Sequence, residues 1–94
     1  MTPLTAAEIE QRLAGAGGWQ KGGDSSIVRE LPFPDFAAAI AFVDRVAELA
    51  EAANHHPDIL LHGWNKVRLT LSTHSEGGLT DADFALAGQI DRLA

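Results

Sequence analysis

The chain contains no cysteine, which excludes both a disulfide framework and a zinc site built on thiolates. Positive charge is scarce as well: seven Lys and Arg stand against thirteen Asp and Glu, for a net charge of −6. The seven are scattered, with no basic stripe of the kind that displaces counterions from phosphates, which argues against nucleic acid as a partner. Long apolar runs are missing. The longest, Phe36 to Val43, falls far short of the roughly 20 residues that span a bilayer. The opening segment, MTPLTAAEIEQRL, carries acids where a secretory signal has a basic and then an apolar stretch. No Gly-Lys-Ser/Thr follows the glycine pairs at 17–18, 22–23 and 77–78, so no phosphate loop is indicated. The sequence also shows no linker, repeat or low-complexity tail. A soluble cytoplasmic protein, free of membrane, is expected.

What is present suffices for one domain covering residues 1–94. A hydrophobic content of 46% can build a core. A domain this small buries a modest share of its surface, so a homodimer or homotetramer would be a natural source of further stability.

Thr5 followed three residues later by Glu8 is a capping-box signature and opens a short helix to about Leu13, with Ile9 and Leu13 at helical spacing. Gly15, Gly17 and Gly18 stop it. An extended stretch from Trp19, a turn over Lys21 to Asp24 and a strand from Ser26 to Leu31 read as a β-hairpin. Pro32 and Pro34 should break that strand. A helix then runs from about Asp35 to Ala53 with two apolar stripes. One is Phe36, Ile40, Val43, Ala47 and Ala50; the other is Phe42, Val46, Leu49 and Ala53. Packing on a sheet needs only one stripe, and the second is spare surface suited to a subunit contact.

Pro57 disfavours helical geometry at His56 and ends the helix near Asn54 or His55. Asp58 to Leu61 reads as a third strand. The alternation of Val67, Leu69 and Leu71 with Lys66, Arg68, Thr70 and Ser72 marks a half-buried fourth. Gly77 and Gly78 make a turn. Thr80 with Asp83 caps a last helix carrying Phe84, Ala87, Ile90 and Leu93. The fold class is therefore α+β: a single domain with a four-stranded antiparallel sheet, helices packed on one face, and the order α-β-β-α-β-β-α.

All four histidines lie between residues 55 and 74. Glu51 and His55 are four apart, neighbours on one helical face if the last turn holds, so the carboxylate is expected to orient that imidazole. The helix C-terminus favours a cation at the same place. His74 lies at the end of the fourth strand, which in an antiparallel pair returns beside the start of the third and hence beside His56. Imidazoles titrate near neutral pH and serve as acid or base. Such a group suits the expulsion of water: one ring protonates the departing hydroxyl and another takes a proton, with no redox cofactor.

The pattern Glu51, three residues, His55-His56-Pro57, six residues, Trp64, nine residues, His74, eight residues, Asp83 resembles the signature of the pterin-4a-carbinolamine dehydratases. The likeness continues through Thr73-His74, Gly77-Gly78-Leu79-Thr80 and Ile90-Asp91, and is carried mainly by the second half of the chain. The resemblance implies a dimeric or tetrameric α+β protein that converts 4a-hydroxytetrahydropterin to quinonoid dihydropterin in recycling a tetrahydropterin such as tetrahydrobiopterin. The pterin is then the substrate, and no cofactor or metal is required. It further implies His55, His56, His74 and Glu51 as catalytic residues. His56, Trp64, Thr73 and Asp83 would be substrate-binding. Which histidine is acid and which is base stays open.

Each of these residues also has a plainer reading. Three histidines and a glutamate can supply zinc ligands, but the His-Glu-x-x-His spacing is absent and adjacent histidines rarely reach one ion. Trp64 serves equally as a packing residue of a hairpin. Asp83 is accounted for as the capping partner of Thr80, and Glu51 by a polar edge with Asp44 and Glu48. His62, outside the pattern, is read as structural or solvated, and Lys66 and Arg68 as solvated. The rival function is a non-catalytic dimerisation or assembly module, for which the broad apolar helix would serve.

Overall fold

A computed structural model describes residues 2–23 and 25–94; the expected turn at Asp24 lies outside the described residues. The elements are α1 (Ala6–Ala14), β1 (Gln20–Lys21), β2 (Ile27–Pro32), α2 (Phe36–Ala53), β3 (Asp58–His62), β4 (Lys66–Leu71) and α3 (Asp81–Asp91), with a 3-10 turn over His74–Glu76 before α3. The expected order holds throughout.

The sheet is antiparallel in the order β1-β2-β4-β3. Strand β4 lies between β2 and β3 and presents Val67, Leu69 and Leu71, all fully buried, to one face. Ile27 and Leu31 of β2 join them across the ladder, opposite Leu71 and Val67. Against this face pack Ala39, Phe42 and Val46 of α2 and Leu86, Ala87 and Ile90 of α3. Each large side chain so buried contributes roughly 1.5–3 kcal/mol. The core face of α2 is made by Phe42 and Val46 of one stripe and Ala50 of the other, while Ala53, Phe36 and Ile40 are left exposed.

The last helix is also tied to the first hairpin. Trp19, itself buried, donates from Nε1 to Asp91 Oδ1 at 2.8 Å, and the Arg29 guanidinium pairs with the same oxygen. At the other end of the chain, Thr5 and Glu8 form the expected capping box, and Arg12 reaches Asp81 at 2.5 Å.

Two local expectations change. Pro32 does not break β2 but ends it, opposite Lys66; a proline is accepted at a strand terminus, where its missing N–H costs no ladder bond. The next ladder-like bond is supplied by Phe33, whose N–H donates to Asn65 O at 2.8 Å. Arg68 is not merely solvated, and His62 takes the structural one of its two expected readings. On the uncovered face of the sheet it meets Glu30 at 2.5 Å, and Arg68 reaches the same carboxylate at 3.2 Å. The His62 hydrogen bond holds the Glu30 carboxyl below its ordinary pKa, and the charges of His62 and Arg68 act in the same direction.

Candidate active site

Four chain segments meet at one end of the sheet: the C-terminus of α2, the start of β3, the end of β4 and the N-terminus of α3. The register makes this so. Asp58 at the start of β3 pairs with Thr70 near the end of β4, so the residues preceding Asp58 and those following Leu71 run out together. His56 and His74 thus leave the sheet at the same end.

The exit from α2 is set by Asn54, which adopts a left-handed conformation at φ 50°. Asn is among the few residues that accept it readily. His55 N–H then donates back to Ala50 O at 3.1 Å and Asn54 N–H to Glu51 O at 3.2 Å, the paired bonds of a Schellman motif. This geometry changes the expected pairing. His55 lies beyond the helix, so the four-residue spacing from Glu51 no longer makes them neighbours. His56 instead meets Glu51, with Nε2 2.5 Å from Oε2 in an exposed pair.

His55 turns inward to Asp83. Its Nε2 lies 2.6 Å from Asp83 Oδ1, with only 14% of the imidazole side chain exposed. Asp83 is fully buried. It closes the capping box of α3, accepting Thr80 N–H at Oδ2 (3.0 Å), and the same oxygen accepts the Thr73 hydroxyl at 2.7 Å. A buried carboxylate is costly unless it is hydrogen-bonded. Here three donors and the positive end of a helix face it.

An anionic Asp83 only accepts, so the bond at Oδ1 requires the proton on His55 Nε2 and leaves Nδ1 of that ring without one in the neutral form. The neighbouring Thr73 carries His74 directly after it. His74 is exposed and begins the 3-10 turn, which Gly77 closes at φ 79° with its N–H on His74 O.

Glu51, His55, His56, Thr73, His74 and Asp83 are thus gathered at this end of the sheet. Thr73 and Asp83, expected to touch substrate, spend their polar atoms on each other, on Thr80 and on His55. Trp64 does not join them within one subunit. It sits in the β3–β4 turn, 62% exposed and left-handed at φ 61°, while His56 precedes the opposite end of β3, about 17 Å of strand away.

The contribution of Asp83 to His55 was hidden behind its capping role. A cap uses one carboxylate oxygen, and the unused second oxygen of a buried Asp needs a partner of its own; that surplus was the available signal. Thr80, read only as a cap, also bonds Thr73 through its side chain at 2.9 Å.

Among the described residues no group of three or more His, Cys, Asp or Glu side chains is arranged to hold a metal ion. No helix among them is long and apolar enough to cross a membrane. A surface cavity of about 440 Å³, lined by Gln20, Lys21, Val28, Glu30 and Arg68 among others, lies on the uncovered sheet face and touches none of the clustered histidines.

The family model described as pterin 4 alpha carbinolamine dehydratase matches residues 2–93. A protein of Roseiflexus sp. (strain RS-1), provisionally named a pterin-4-alpha-carbinolamine dehydratase, is 53% identical over 92 residues, covering 98% of this chain and 97% of its own. One of Chloroflexus aggregans with the same provisional name is 50% identical over 93 residues, covering 99% and 98%.

Two solved structures are similar as well. The crystal structure of a transcriptional coactivator/pterin dehydratase from Brucella melitensis superposes with a TM-score of 0.93 at 37% identity, covering 99% of each chain. A pterin dehydratase-like protein identified as a RuBisCO assembly factor in the alpha-carboxysome gives 0.70 at 30% identity, covering 82% of this chain and 89% of that one. From its first helix to its last, this chain belongs to the pterin-4a-carbinolamine dehydratase family.

Proposed function

We propose that the chain dehydrates 4a-hydroxytetrahydropterin to quinonoid dihydropterin, with imidazoles moving the protons, as a step in recycling a tetrahydropterin in the cytoplasm. The observation that carries this reading is the inward-turned His55, held by buried Asp83 at the end of the sheet where His56 and His74 also emerge.

In the proposed reaction the C4a–O bond breaks as the departing hydroxyl gains a proton, and a ring nitrogen of the pterin loses one. Water and the quinonoid product result, with no net redox change. His55 and His74 form the acid–base pair. His55 exchanges its proton at Nδ1, since Nε2 is committed to Asp83. His56, tethered to Glu51, binds the pterin or shares in proton transfer. Thr73 and Asp83 act through His55, and Trp64 would reach a pterin only from another subunit.

Dehydration of 4a-hydroxytetrahydropterin by the wild type and by His55→Ala, His56→Ala and His74→Ala tests this directly. The principal acid–base residue should lose roughly 100- to 10,000-fold in rate. Wild-type activity in all three variants contradicts the mechanism.

A second reading is favoured by the exposed Phe36 and Ile40 on α2 and by the likeness to an assembly factor. On this reading the apolar stripe contacts protein, either a second copy in a homodimer or homotetramer or a different chain. Light scattering behind size exclusion checks the first case, a clean micromolar monomer being the adverse result. A stoichiometric protein partner together with no turnover would place assembly above catalysis.

A further inference from the structure

We propose that Thr73 and Thr80 are positioning residues for His55: their hydroxyls form a one-way hydrogen-bond chain that fixes Asp83, and through it the Nε2–H tautomer and ring orientation of His55. The proposal deepens the reading of His55 as a proton carrier and rests on it.

The direction of the chain follows from proton counting. Each hydroxyl has one proton to give. That of Thr73 goes to Asp83 Oδ2 at 2.7 Å, so the 2.9 Å contact between the two hydroxyls is satisfied only when Thr80 donates and Thr73 accepts. Thr80 Oγ1 in turn accepts the Ala82 N–H at 3.3 Å. The sequence of donors therefore runs from the first turn of α3 through Thr80 and Thr73 into the carboxylate. Oδ2 is occupied twice, by Thr73 and by Thr80 N–H, and Oδ1 is left facing His55 Nε2 at 2.6 Å. Reversing the chain would need a proton on Asp83 Oδ2, which would remove the charge that strengthens the His55 bond at Oδ1.

Capping alone does not call for this arrangement. An N-cap needs its own side chain and the N3 residue, and Thr73 lies outside α3. Thr73, Thr80 and Asp83 are all buried, with Thr80 and Asp83 wholly so, and none of their buried side-chain oxygens lacks a partner. The Thr73 carbonyl is engaged too, accepting Glu76 N–H at 3.0 Å and Gly78 N–H at 3.3 Å. One residue thus anchors both the carboxylate behind His55 and the turn that starts at His74, coupling the placement of the two rings.

The test uses the whole chain labelled with nitrogen-15, long-range proton–nitrogen correlation of the imidazoles, and His55→Gln to assign the ring. In the wild type, neutral His55 should be a single Nε2–H tautomer. Thr73→Val, which keeps the shape and removes the hydroxyl, should give a mixture of tautomers and about tenfold lower kcat, with KM little changed. Thr73→Ser should restore both. An Nδ1–H wild-type ring overturns the proposal without any variant, as does a Thr73→Val protein that keeps the pure Nε2–H form and full kcat. A wild type that shows no dehydratase activity sinks the proposed function instead, while the nitrogen spectra still decide the hydroxyl chain.

Discussion

His55 Nε2 and Asp83 Oδ1 stand 2.6 Å apart across 28 residues of sequence, joining the end of one helix to the start of another. The imidazole is largely covered and the carboxylate fully so. The pair is a structural clasp and, in the proposed mechanism, keeps one ring nitrogen available, so disturbing it should register in both stability and rate.

Asp83→Asn preserves the shape but removes the charge and lets the side chain donate where it had only accepted. The expected outcome is a fall in kcat of roughly 100- to 10,000-fold, as when an orienting carboxylate behind a catalytic imidazole is neutralised. A stability loss of about 1–3 kcal/mol should accompany it, because a buried group is left mismatched. Steady-state kinetics and thermal unfolding of the same preparation check the two together.

His62→Ala provides the contrast. This ring faces Glu30 on the uncovered side of the sheet, remote from Asp83, so kcat/KM should stay at the wild-type level. A large loss would mean that the chemistry lies on the other face.

Glu30 makes a pH-dependent contribution whose sign is fixed by its environment. Its folded-state pKa is lowered, first by the His62 hydrogen bond, so the stabilisation is complete above the ordinary glutamate range and is lost as pH falls through the lower folded value. The melting temperature of the wild type should therefore exceed that of Glu30→Gln near neutral pH, with the gap closing between about pH 5 and pH 3. Parallel melts across that window measure it. A gap that widens toward acid contradicts the assignment.

Asn54 controls how the chain leaves α2. Asn54→Gly, which accepts the left-handed conformation at least as well, should leave stability within about 0.5 kcal/mol of wild type. Asn54→Ala should cost roughly 1 kcal/mol or more and lower dehydratase activity by displacing His55. Chemical denaturation and the pterin assay read the two effects.

Much of this was legible in the sequence because it depends on local signals. The Thr5-Glu8 and Thr80-Asp83 boxes, the alternation at Val67, Leu69 and Leu71, and Pro57 after two histidines each specify nearby backbone. The partners of the histidines were not legible. Glu51 was expected beside His55 on a continuing helix; the left-handed Asn54 ended that helix and passed Glu51 to His56. His55 met Asp83 only because α2 and α3 pack on the same sheet face, a fact of tertiary assembly. Thr73 looked like a ligand residue from its place in the motif, whereas its burial commits its hydroxyl to the interior. Trp64 carried the motif spacing yet lies in the hairpin turn at the opposite end of β3.

The two tryptophans occupy opposite environments: Trp19 is enclosed and bonded to Asp91, and Trp64 stands 62% exposed on the turn. The protein therefore carries a pair of native fluorophores with separate duties. Emission from the sheltered indole should redden as the fold melts, while the outward indole should shift toward the blue whenever another molecule covers that hairpin. With Trp19→Phe and Trp64→Phe to separate the signals, unfolding and surface association can be followed in one cuvette without an added dye.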